Sequence, residues 1–216
     1  MEELGQIRLG TPFGDRLHEL CFRNQSIRTV VEIGTWKGLG STECIIRGLA
    51  DSNREGISFL SLEAESSMHA ISCEAWGDRL PKWAEIMWGR IVDVEEMDDA
   101  DLGSGHPDER MWFEQDRNAF MRCPNVMDRM PPRIDFLFLD GGEFSTYAEH
   151  LKLKDRCMFV GMDDTISRKC RRIRDEVLSN SDQYEVLLDN PWYRNGVMIY
   201  RNMAATVVRE AQLKLE

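Results

Sequence analysis

Residues 30–42 read VVEIGTWKGLGST. A compact β-branched run, Thr29 to Ile33, stops at Gly34, and the chain then turns through Gly38 and Gly40 into a stretch that opens with the helix-capping pair Ser41-Thr42. This predicts a strand, a glycine turn and a helix, the unit that lets backbone approach a nucleotide-like ligand closely. It is not the G-x-G-x-x-G dinucleotide fingerprint, because Gly34 is followed by Thr35 and Trp36.

Outward from that unit, short apolar runs alternate with amphipathic stretches, the mark of an α/β fold with a mostly parallel sheet. Thr11 to Asn24 predicts a helix ahead of the first strand. After it come strands at Ile57–Leu62, Glu85–Val92, Ile134–Leu139 and Cys157–Met162, with helices at about Ser66–Leu80 and Arg168–Leu178. The tail holds Tyr184–Leu188 and Val197–Tyr200 around a turn containing Asn195-Gly196, which predicts an antiparallel hairpin. The sum is a doubly wound, Rossmann-like sheet of seven strands in a single domain. Residues 93–133 exceed a plain crossover: they open with six acids (Asp93, Glu95, Glu96, Asp98, Asp99, Asp101), continue through GSGHPDE and hold a helix around Arg110–Arg122. A connection of this length reads as a lid or substrate-facing insertion, its acids as a solvated loop.

Composition narrows the class. The chain has 216 residues, with 27 Lys plus Arg against 38 Asp plus Glu, a net charge of −11. Such acidity repels phosphate backbones and argues against nucleic acid. The six cysteines are scattered, without metal-binding spacing, as in reduced buried thiols. MEELGQIRLG lacks a leader pattern and no apolar run reaches the roughly 20 residues of a membrane helix, so a cytoplasmic protein without a membrane partner is expected. A homo-oligomer is left open.

Three carboxylates stand at predicted strand ends. Asp140 follows IDFLFL, and Asp163-Asp164 follow CMFVGM. In a doubly wound sheet these ends converge on the ligand crevice, where like charges repel unless a cation or protons compensate. Oxygen-only ligands of this kind suit Mg²⁺ or another hard divalent ion.

The stretch from Glu32 through Gly34 to Gly38 resembles the first motif of the class I S-adenosylmethionine (SAM)-dependent methyltransferases, an acidic residue, x, Gly, three residues and Gly. The resemblance spans roughly Pro12 to Arg201. It implies that Gly34 and Gly38, with Thr35, Gly40 and Ser41 adjacent, lie against the methionine part of SAM, and that Glu32 organises its ammonium end. It implies that Glu63, after the second strand, binds the ribose hydroxyls, with Glu65 as a neighbouring alternative, and that adenine meets Gly89, Arg90 and Ile91. The Asp140 and Asp163-Asp164 layout resembles the metal-dependent O-methyltransferases of the catechol and the macrocin/aminocoumarin-sugar types. Asp140 is then both cofactor and catalytic residue, and Asp140, Asp163 and Asp164 hold the metal.

The base departs from those relatives. The sugar enzymes place an Asp where this chain has Gly142, and the catechol type a Lys where it has Glu143. Glu143 is therefore the expected base or a fourth metal ligand, with His150 and His106 as alternatives. The D-G-G-E-F-S-T-Y segment resembles glycan-modifying enzymes, so the expected acceptor is a sugar or glycan hydroxyl. A catechol-like small molecule, or a non-methylating oxidoreductase or nucleotide-binding role on the same sheet, remains the alternative. Arg168, Lys169, Arg171, Arg172 and Arg174 form the one basic run; pairing with the chain's own carboxylates is expected, a guide for a phosphate-bearing substrate being the other reading. Trp36, Trp88, Trp112, Trp192 and Tyr193 read mostly as core, or as a stacking wall for a ring.

Overall fold

The computed structural model describes residues 6–103 and 106–205. Residues 1–5, part of the stretch read for a leader, and 104–105, inside the GSGHPDE run, lie outside it. The seven strands are β1 Thr29–Ile33, β2 Ser58–Glu63, β3 Ala84–Trp88, β4 Ile134–Leu139, β5 Cys157–Asp163, β6 Tyr184–Asn190 and β7 Val197–Asn202. They form one sheet in the order β3-β2-β1-β4-β5-β7-β6, in which β7 runs antiparallel between β5 and β6 and the other neighbours pair in parallel. The expected Rossmann-like α/β sheet with its terminal hairpin is present.

Among the described residues the helices α1 Pro12–Arg23, α2 Ser41–Asp51, α3 Ser66–Trp76, α4 Glu109–Arg122, α5 Thr146–Leu153 and α6 Arg168–Ser179 flank it. The central strands bury both faces, so successive residues feed opposite cores. Val30, Phe136 and Phe138 pack with Phe13, Leu17, Ile45, Leu49 and Trp76 of α1, α2 and α3. Val31, Leu137 and Leu139 pack with Phe113, Phe120, Leu153, Ile173 and Val177 of α4, α5 and α6. Buried Asp135 accepts the backbone N–H groups of Arg28 (2.8 Å) and Thr29 (2.9 Å), pinning the start of β1 to β4.

Several expectations need correction. β3 ends at Trp88 rather than Val92: the Gly89 N–H makes the last ladder bond, to the Glu63 carbonyl, after which Arg90 leaves β2 and bridges to Asn125 instead. α3 ends at Trp76 and gives way to a single 3₁₀ turn. Helix α5 was not anticipated. The acids of the insertion are not a merely solvated loop: Asp93 pairs with Arg90, Glu96 with Lys152, and Asp98 lies 3.5 Å from Arg168 and 3.6 Å from Arg172. Trp36, Trp112 and Trp192 are exposed rather than core. Among the described residues, no helix is long and apolar enough to cross a membrane.

Candidate active site

Strand order reverses between β1 and β4, opening a crevice at the carboxyl ends of the parallel strands. A cavity of about 420 Å³ sits there, lined among others by Gly34, Thr35, Ser41, Glu63, Gly89, Arg90, Asp116, Asp140, Glu149, Asp163, Asp164 and Arg194. Gly34 is required by geometry. Its φ is +95°, and a Cβ there would stand 2.2 Å from the Asp140 carbonyl oxygen. The Asp140 N–H in turn donates to the Ile33 carbonyl (2.8 Å), so β1 and β4 close on each other just below the cavity. Trp36, Asp164 and Arg194, which also line it, are non-glycine residues with positive φ. Backbone strain thus collects at this crevice, as it does around functional sites.

Glu32 does not line the cavity. It is fully buried, and its carboxylate accepts the hydroxyls of Ser41 (2.7 Å), Thr42 (2.6 Å) and Ser61 (2.6 Å). Burial pushes its pKa up to about 7 against the opposing pull of those three donors. The side chain therefore ties the end of β1 to the first turn of α2 and to β2, shaping the glycine turn from beneath. Gly38 also stands back from the cavity; its carbonyl accepts from Trp76 Nε1 (2.8 Å). Glu63 faces the cavity while accepting the N–H groups of Trp36 (2.6 Å) and Glu65 (2.9 Å), and burial raises its pKa. Each of its oxygens keeps a lone pair for a ligand hydroxyl. Arg90 lines the cavity, with its guanidinium held by the carbonyls of Phe120 and Val92 and by Asp93.

Asp140, Asp163 and Asp164 do meet: one oxygen of each lies within 4.8 Å of the others. This is the donor chemistry of a hard divalent ion. However, Lys169, near-fully buried on the first turn of α6, places Nζ 2.7 Å from Asp140 Oδ1 and 2.8 Å from Asp164 Oδ2. Arg194 Nη1 stands 3.0 Å from Asp163 Oδ2. An ion bridging the same two oxygens as Lys169, at the roughly 2.1 Å that Mg²⁺ takes, would lie within about 5 Å of the ammonium. There the charges repel by roughly 7 kcal/mol even at an effective dielectric near 20. With Lys169 bridging Asp140 and Asp164, the residues as arranged do not fit a divalent metal at this point.

Glu143 stands elsewhere than the expected base position. Its Oε1 accepts the backbone N–H of Lys169 (3.3 Å), and the residue is not part of the cavity lining. His150 is fully buried against the Tyr200 hydroxyl (2.8 Å), where burial drops its pKa to about 4, and His106 stacks on Trp112 at 4.6 Å. Neither lines the cavity.

Two carboxylates that sequence reasoning did not single out take part. Asp116, from α4, brings Oδ2 to within 2.9 Å of where a Cβ on Gly142 would be. The sequence lacks a carboxylate at position 142, and Asp116 supplies one at that place in space. Burial, together with Glu143 and Glu63, raises its pKa to about 6. Glu149, from α5, is buried below Gly141, has an Oε2 without a hydrogen-bond partner, and is pushed by burial to about 8. No sequence signal marked Asp116. Lys169 carried one: a cation in the first turn of a helix opposes the macrodipole and needs compensation.

No protein-family model and no curated protein matches the sequence. Solved structures do match over most of the chain. The S-adenosylhomocysteine (SAH)-bound methyltransferase PaMTH1 of Podospora anserina is 16% identical, with 88% of this chain and 77% of that one covered at a TM-score of 0.58. The O-methyltransferase from Bacillus cereus in complex with SAH is 17% identical, with 89% and 81% covered at 0.58. TomG from Streptomyces achromogenes, an O-methyltransferase of tomaymycin synthesis in complex with SAM, is 15% identical, with 88% and 79% covered at 0.59. The chain has the fold of these methyltransferases.

Proposed function

We propose that the chain is a SAM-dependent O-methyltransferase acting on a hydroxyl of a sugar or glycan. The observation that carries this is the cavity at the strand-order reversal, where the Gly34 turn leaves no room for a side chain and Glu63 offers its carboxylate at the end of β2. Gly34, Thr35, Ser41 and Asp140 would hold the methionine end of the cofactor, Glu63 the ribose, and Gly89 and Arg90 the adenine side. SAM, when bound, supplies a methyl group already activated on a sulfonium. What remains for the protein is to orient an acceptor oxygen and take its proton.

Asp116 suits that second task. It reaches the cavity beside Gly142 and, with a pKa near 6, is ionised at neutral pH. Asp116, Glu149 and Asp163 line the cavity with carboxyl groups that accept hydrogen bonds and, where burial keeps the proton on as at Glu149, also donate one, a lining suited to a neutral polyol. Exposed Trp36 at the rim adds a flat apolar surface against which a sugar ring can stack. No step of the proposal runs through a divalent metal, because Lys169 stands between the carboxylates that would bind it.

The test is transfer of radiolabelled methyl from SAM to panels of sugars, glycans and catechols. Labelling of sugars or glycans is expected. Labelling confined to catechols would overturn the acceptor class, and no labelling of any hydroxyl acceptor by a protein that binds NAD instead would overturn methyl transfer.

A further inference from the structure

We propose that the Lys169 ammonium is the resident cation of this site, holding Asp140 and Asp164 in the place where a divalent metal would otherwise sit, so that binding and chemistry here are independent of divalent ions. The inference rests on the methyl-transfer proposal only for its catalytic consequence; the charge arrangement is a property of the chain itself.

Four observations converge. Nζ bridges Asp140 Oδ1 and Asp164 Oδ2 at 2.7 and 2.8 Å, so it satisfies carboxylates from two strands at once. The third carboxylate, Asp163, is met by a second cation, Arg194, and buries an Oδ1 that has no partner. Lys169 also sits where a lysine is otherwise unfavourable, in the first turn of α6 two residues after the Ser167 cap, whose Oγ accepts the Lys169 backbone N–H at 3.2 Å. Its own burial would drive the ammonium toward the neutral amine, and the two carboxylates outweigh that and hold it charged. Lys169 is in this sense a positioning residue: it fixes the orientation of Asp140 and Asp164 at the cavity wall.

The experiment is Mn²⁺ titration of the full chain, followed by loss of the free-ion electron paramagnetic resonance signal. Wild type is expected to take up no Mn²⁺ at this site. Lys169→Ala frees Asp140 and Asp164 beside Asp163 and should gain one Mn²⁺, at least about tenfold tighter than wild type, and adding Asp164→Asn should remove the gain. Lys169→Arg, which keeps the cation, should exclude Mn²⁺ as wild type does. A merely structural lysine would not create a metal site when removed, so a folded Lys169→Ala without Mn²⁺ uptake overturns the proposal, as does one-to-one uptake by wild type. Lys169→Met replaces Lys169→Ala if the latter loses its cooperative melt; if neither folds, the wild-type titration decides. Calorimetry of wild type with SAH, with and without chelator, keeps the two proposals apart. Absence of SAH binding counts against methyl transfer alone, whereas SAH binding abolished by chelation counts against the resident cation.

Discussion

Replacing Glu32 by Gln separates the shaping of the glycine turn from any direct contact with a ligand. The wild-type carboxyl is fully buried, with a pKa raised from 4.5 to about 7. The folded state therefore binds more protons than the unfolded state between those values. Stability from this group is fully present below pH 4.5 and is lost as pH rises through 7. At 1.36 kcal/mol per pH unit the loss amounts to about 3 kcal/mol. A glutamine of the same shape can accept from Thr42 and Ser61 through its oxygen and donate to Ser41 Oγ through its nitrogen, as the protonated acid does. Urea unfolding of Glu32→Gln should thus match wild type near pH 4.5 and show it more stable by about 3 kcal/mol near pH 8. The opposing contribution is the three hydroxyl hydrogen bonds to the carboxylate, since bonds to a charged acceptor exceed neutral ones. A variant less stable than wild type at pH 8 would show that these bonds outweigh desolvation, and the account of Glu32 would be wrong. SAH affinity should be unchanged in the variant, because Glu32 does not line the cavity.

Other expectations concern the cavity itself. Gly34→Ala puts a methyl 2.2 Å from the Asp140 carbonyl at a φ of +95°. It should cost at least about 3 kcal/mol and lower the melting temperature by roughly 10 °C; a melt within error of wild type would show that the two strand ends do not close as described. Glu63→Ala should weaken SAH binding roughly 10- to 100-fold by calorimetry through loss of charged hydrogen bonds, and unchanged affinity would remove the ribose role. Asp116→Asn should lower the turnover of methyl transfer by about 10²- to 10⁴-fold with SAH affinity intact. In wild type the rate should rise with pH through about 6 as Asp116 ionises, and a profile flat across that range would assign the proton to another group.

Much of the fold was legible because its signals are local. The β-branched run of β1, the uniformly apolar β4 and the Asn195-Gly196 turn each declare their element within a few residues, and their order implies the sheet. The short α5 carried too little periodicity to declare itself. The site was legible where strand ends define it: Gly34, Glu63, Asp140, Asp163 and Asp164 do gather in one crevice. What failed were inferences from neighbours in sequence to neighbours in space. Glu143 stands three residues from Asp140, yet its carboxylate accepts a backbone N–H at the start of α6. The carboxylate missing at Gly142 comes from Asp116 on the insertion's helix, whose packing through Phe113 against Phe144 (5.3 Å, edge to face) no local pattern encodes. Of the basic run, Arg168, Lys169, Arg172 and Arg174 pair with the chain's own acids. The one partner choice that changes the chemistry, Lys169 with Asp140 and Asp164, depends on how α6 docks over two strand ends.

Calorimetric titration of the full chain with SAH tests the central claim most directly. Saturable one-to-one binding that Glu63→Ala weakens is the predicted result. No binding of SAH or SAM, with NAD bound in their place, would contradict the account.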